Sequence, residues 1–111
     1  MEKLVAYKRM PVWNKDTMPE AVQRKHNTKV GTWGKITVLK GTLKFIELTE
    51  DGEVIAEHLF EAGADNPMAQ PQAWHRVEAA TDDVEWYLEF YCKAEDYFPK
   101  KYNTNPVHSE V

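Results

Sequence analysis

Between residues 35 and 91 apolar and polar side chains alternate with a period of two, broken at intervals of roughly 8 to 12 residues by turn-forming side chains. Residues 35–39, with the β-branched Ile36, Thr37 and Val38, predict a strand. Lys40 and Gly41 supply a turn, and residues 42–48 alternate again, so the two segments read as a hairpin. Asp51 and Gly52 predict a second tight turn, because this pair tolerates positive φ, and residues 54–60 a further strand. A proline-containing loop over 63–71 leads into a strand over 74–80, and Thr81, Asp82 and Asp83 turn the chain into residues 84–91. That last segment has the sharpest division of faces. Trp86, Leu88, Phe90 and Cys92 fall on one side, and Glu85, Tyr87, Glu89 and Tyr91 on the other, so the first set is predicted to be core.

Weaker strands are expected over 4–10 and 22–29, separated by the proline-bounded segment 11–19, and residues 94–98 predict a single helical turn. No longer stretch carries the 3.6-residue period of an amphipathic helix. Many short strands with frequent turns imply an all-β body, either two sheets or a closed jelly-roll barrel, with a short C-terminal turn or helix. Periodicity disappears after Phe98, so a domain over 1–98 and a tail or linker over 99–111 are expected.

The 111 residues suffice for one domain with a real core. Net charge is −4, with lysines scattered among acids rather than gathered into a stripe, so nucleic acid is not expected as a partner. Cys92 is the sole cysteine and excludes an intrachain disulfide. No apolar run approaches the roughly 20 residues of a membrane helix, and Glu2 and Lys3 do not open a secretory signal, so a cytoplasmic location is expected. Exposed sheet edges make a homodimer a natural partner state.

The candidate chemistry centres on His26 and on His75, which follows Trp74 directly. Either histidine is a ligand contact or a packed ring bonded to a neighbouring carbonyl. His58 alternates with Val54, Ala56 and Phe60 and reads as a core or interface histidine, while His108 lies in the tail. Glu89 shares its strand face with Glu85, Tyr87 and Tyr91, which reads as surface. Trp13, Trp33 and Trp74 read as wall and core residues, and Arg24, Lys35 and Arg76 as cations that would draw an oxyanion to a barrel mouth. Cys92 reads as a buried, inert thiol, and the only serine, Ser109, supports no hydrolytic triad.

Several blocks in order carry a family resemblance: Met10 to Lys15 (MPVWNK), Lys25 to Lys29 (KHNTK), Gly31 to Lys35 (GTWGK), Val38 to Lys44 (VLKGTLK), Pro71 to Val77 (PQAWHRV) and Tyr91 to Phe98 (YCKAEDYF). Together they resemble the N-terminal cupin-like domain of the TehB/YeaR-like family of tellurite-resistance proteins. The resemblance implies a cupin-type double-stranded β-helix. In that family the domain precedes an S-adenosylmethionine-dependent methyltransferase. The chain ends at Val111, about where that catalytic domain would begin, and none of its five glycines forms a cofactor loop, so the methyltransferase activity is not carried over.

The cupin resemblance also implies a metal pocket. Gly63 to His75 fits the second cupin motif, whereas the first is degenerate around His26. That leaves a divalent metal such as zinc as the candidate cofactor, with His26 and His75 as ligands and Glu89 or Glu20 completing a two-histidine, one-carboxylate set. The pocket candidates are His26, Trp33, Trp74, His75, Arg76 and Glu89. The leading expectation is a non-catalytic module that binds a small anion or other small ligand. A metal-dependent cupin enzyme and a dimerisation scaffold are the alternatives.

Overall fold

The structure is a computed structural model and describes residues 3–97. Seven strands and two short helical turns follow one another as β1 (Leu4–Arg9), β2 (Trp13–Asn14), α1 (Glu20–Gln23), β3 (Trp33–Lys40), β4 (Thr42–Leu48), β5 (Val54–Glu61), β6 (His75–Ala79), β7 (Glu85–Lys93) and a 3-10 turn at Ala94–Asp96. The expected tail over 99–111, with His108 and Ser109, lies outside the described residues.

Two antiparallel sheets make up this all-β body. In the first, β7 is central. β1 and then β2 pair along one of its edges and β3 along the other, with Gly34 opposite Phe90 and Ile36 opposite Leu88. In the second, β4 lies between β5 and β6, with Phe45 opposite both His58 and Val77. The alternation along β7 does what its sequence dictates: Trp86, Leu88, Phe90 and Cys92 are buried, while Glu85 is exposed and Tyr87, Glu89 and Tyr91 are half-buried. Leu43, Phe45, Phe60 and Val77 from the second sheet complete the core with Ile36 and Val38 of β3. Trp13 meets Trp86 edge to face at 5.2 Å, and Phe45 stacks on Phe60 at 5.0 Å.

Three details depart from the sequence-based expectation. β3 and β4 are not a hairpin, because β3 pairs with β7 while β4 pairs with β5 and β6, so the chain crosses between the sheets at Gly41. Gly41 adopts φ +70°, and a Cβ there would run into Thr81 and Asp83 of the other crossing. The two corners are tied by Thr42 N–H to Thr81 Oγ1 at 2.9 Å and Ala80 N–H to the Thr42 carbonyl at 3.0 Å. The predicted strand over 22–29 is instead the single turn α1, which buries Val22, followed by isolated pairing at His26. One helical turn has too few residues to display a period. Finally, His58, expected as a core or interface histidine, shares the inward face of β5 but is exposed at the rim, which excludes the core alternative.

Candidate functional site

His26 and His75 are brought together by the backbone. They exchange both main-chain hydrogen bonds, His26 N–H to the His75 carbonyl at 3.0 Å and the reverse at 2.9 Å. Their rings meet edge to face with centroids 4.4 Å apart. Each Nδ1 lies 2.9 Å from the carbonyl oxygen two residues earlier, that of Arg24 for His26 and of Ala73 for His75. A carbonyl only accepts, so Nδ1 carries the proton in both rings.

Both side chains are buried, and burial lowers both pKa values. For His75 burial, with repulsion from His26 adding to it, brings the value from 6.5 down to about 3. At neutral pH each ring is therefore an uncharged imidazole with a lone pair on Nε2. Neither Nε2 has a hydrogen-bond partner among the described residues.

The pair borders a cavity of about 20 Å³ between the sheets, lined also by Thr28, Ile36, Trp86 and Leu88. That volume accommodates about one water-sized group. The indole N–H of Trp86 is buried without a partner among the described residues. On its other side the His75 ring packs against Phe45, with centroids 4.9 Å apart, and borders a second, outer pocket of about 280 Å³. Phe45, Glu47, His58, Met68, Gln70 and Trp74 shape that pocket. Glu47 sits directly opposite His75 in the β4–β6 register, and its carboxylate binds His58 Nε2. The loop entering β6 passes through Gln72 in the left-handed region at φ 64°, costly backbone for a residue other than glycine. Gln72 N–H bonds the Thr28 carbonyl at 3.0 Å, fastening this loop to the His26 segment.

The remaining sequence-predicted residues are dispersed. Trp74 lines the outer pocket, with Lys25 Nζ 4.7 Å from its ring centroid. Trp33 lines neither space but donates its indole N–H to Gln70 Oε1 at 3.3 Å. Arg76, one residue beyond His75, points to the opposite sheet face, where it pairs with Glu78. Arg24 pairs with Glu20 at the surface. Glu89 lies on the outer face of the first sheet, 4.0 Å from Arg9 and opposite Lys35.

The carboxylate expected to complete a metal set with the histidines is thus not there. Glu89 and Glu20 are both engaged elsewhere, and no three His, Cys, Asp or Glu side chains among the described residues form a metal-holding group. Two imidazoles alone fall short of the three or four protein ligands of a zinc centre, so the residues do not fit a resident metal. Glu47 and His58 are the site residues that pattern reading passed over. The signal was present, since the alternation of Leu43 and Phe45 continues to Glu47 on the same face.

Comparison with known proteins fits this picture. The family model for the TehB-like domain matches residues 8–88. A probable S-adenosyl-L-methionine-dependent methyltransferase TehB from Haemophilus influenzae is 64% identical over 98% of the chain. The chain spans 38% of that protein's length. The uncharacterized protein YeaR of Escherichia coli is 29% identical over 77% of the chain and 75% of its own length. Among solved structures, that of TehB from Haemophilus influenzae superposes with a TM-score of 0.85 at 66% identity, covering 95% of this chain and 37% of the other. A protein of Escherichia coli superposes with a TM-score of 0.73 at 28% identity over 79% of this chain and 89% of the other.

Proposed function

The chain belongs to the TehB-like family, and from that premise we propose that its domain is a non-catalytic binding module of tellurite-resistance proteins, holding a small ligand at His26 and His75. A cupin-type double-stranded β-helix is the frame of this module. One observation carries the reading: both Nδ1 atoms are committed to carbonyls, while both Nε2 lone pairs lack partners in side chains that border a cavity. Neither Nε2 is sealed in: the fully buried side-chain polar atoms without a partner among the described residues are Asn66 Nδ2 and Trp86 Nε1, so both imidazole lone pairs open onto space that a ligand can reach. Binding is favoured over catalysis because a ring with a pKa of about 3 exchanges no proton with substrate near neutral pH.

The test is a ligand panel of tellurite, selenite, zinc chloride and benzylammonium, titrated into the ¹⁵N-labelled full chain while the imidazole nitrogens are observed. A saturable change at both Nε2 atoms is expected with at least one probe. A His26→Leu, His75→Leu double variant should lose the saturable shift that the same probe causes at the Trp74 indole, and it should be destabilised by about 1–3 kcal/mol because the Arg24 and Ala73 carbonyls lose their imidazole donors. No response of the wild-type imidazole nitrogens to any probe, or a Trp74 shift that survives unchanged in the double variant, would assign the pair to packing instead.

A further inference from the structure

Resting on the reading of His26 and His75 as the binding site, we infer that the ligand is a small organic cation carrying N–H donors, admitted through the outer pocket, rather than an oxyanion. The formal charge and the lone pairs presented to a ligand belong to acceptors, while the unpaired donor at the inner cavity, the Trp86 indole N–H, is neutral. His26 and His75 offer Nε2 lone pairs, and Glu47 carries the only formal carboxylate charge among the residues lining the outer pocket. The other polar groups there are neutral Gln70, whose Oε1 already accepts from Trp33, and His58, whose Nε2 is bound to Glu47.

The cations that would hold an anion stand elsewhere. Arg76 pairs with Glu78 on the opposite sheet face, Arg24 pairs with Glu20, and Lys35 lies on the outer face of the first sheet. Lys25 does not line the pocket; its ammonium rests over the Trp74 ring and against the Glu50 carbonyl. That contact shows the indole already serving a cation. The walls are otherwise apolar or aromatic, formed by Phe45, Pro67, Met68, Ala69 and Ala73, so a cation with a compact hydrocarbon body matches both charge and surface. His75 borders both spaces, and an ammonium group held beside Glu47 would donate to its Nε2 lone pair.

Benzylammonium, benzyl alcohol and benzoate, three phenyl-bearing probes differing chiefly in charge, and tellurite as the inorganic oxyanion test this on the full chain at about pH 8, where imidazoles of ordinary pKa are neutral. The readouts are the Trp74 indole and His75 ring resonances. Benzylammonium should give saturable shifts at both. Its affinity should fall about tenfold in Glu47→Gln and not in Glu57→Gln, a carboxylate paired with Lys44 on the same sheet. In the wild type its affinity should also weaken with added salt while that of benzyl alcohol does not, a readout independent of any variant. Equal or tighter binding of benzoate or tellurite, or no saturable shift with benzylammonium, overturns the ligand class. If tellurite moves both Nε2 atoms, the binding module stands and only the ligand class falls. If no probe moves them, both fail.

Discussion

Lowering the pH should destabilise this domain well before its carboxylates begin to protonate, and His75 should be the main cause. Its pKa falls from 6.5 in an unfolded chain to about 3 in the native fold, through burial and the nearby His26 ring. Above about pH 6.5 both states hold the ring neutral, and pH has no effect through this group. Between about 6.5 and 3 the unfolded state takes up a proton that the native state refuses, so native stability falls as pH falls. The limiting slope is about 1.4 kcal/mol per pH unit. By about pH 5 the loss from His75 alone reaches about 2 kcal/mol, a sizeable share of a small domain's total stability. His26 is shifted in the same direction by burial and adds to the loss. Urea unfolding followed by tryptophan fluorescence, repeated between about pH 8 and pH 5, measures the slope; ordinary carboxylates stay ionised through most of that range. His75→Leu should flatten the curve, and the difference between the two proteins isolates the His75 contribution. A wild-type stability that is flat across the window, or a variant that keeps the full slope, would refute the buried, uncharged state of the ring.

Gly41→Ala should cost more than about 1 kcal/mol in urea unfolding, because φ +70° is unfavourable for alanine and the new Cβ collides with Thr81 and Asp83. Gly52→Ala, at φ +92° with only Lys25 Cδ at 3.8 Å, should cost less; equal losses would show that the packing of the two corners does not matter. Cys92 is completely buried at the end of the β7 core face, so a thiol reagent should label it only at the rate of unfolding, and rapid labelling of the native chain would contradict that burial. Arg76→Gln should change stability by less than about 1 kcal/mol and leave binding of every probe unchanged, since its partner Glu78 lies on the face away from the pocket. Weakened binding would bring Arg76 back as a pocket residue.

Much of the fold was legible because the two-residue period of β4 and β7 is a direct imprint of one buried face. Leu43 and Phe45, like Trp86, Leu88 and Phe90, are inward in the sequence pattern and in the structure alike. Pairing partners were less legible. Lys40 and Gly41 suit a hairpin locally, yet sheet membership depends on what β7 offers β3, a contact 45 residues away in the chain (Lys40 opposite Glu85). His26 and His75 stood out through their residue type, but their protonation follows from carbonyls two residues back and from burial, which only the assembled loops provide. Glu47 looked like an ordinary polar strand position. Its importance comes from lying opposite His75 and beside His58, and neither neighbour is close in sequence. Arg76 was grouped with the pocket as a cation next to His75, and strand alternation carries it to the opposite face; Glu89 was a pocket candidate only as a carboxylate to complete a metal set, and its alternation with Glu85, Tyr87 and Tyr91 already read as the outer face on which it lies.

The most direct test of the binding pair is a long-range ¹H–¹⁵N spectrum of the histidine side chains in the full chain near neutral pH. His26 and His75 should both show a protonated Nδ1 and an unprotonated Nε2, and the His75 Nε2 signal should move saturably as benzylammonium is added. An imidazolium signal, a proton on Nε2 in either ring, or Nε2 signals unmoved by every probe in the panel would contradict the account.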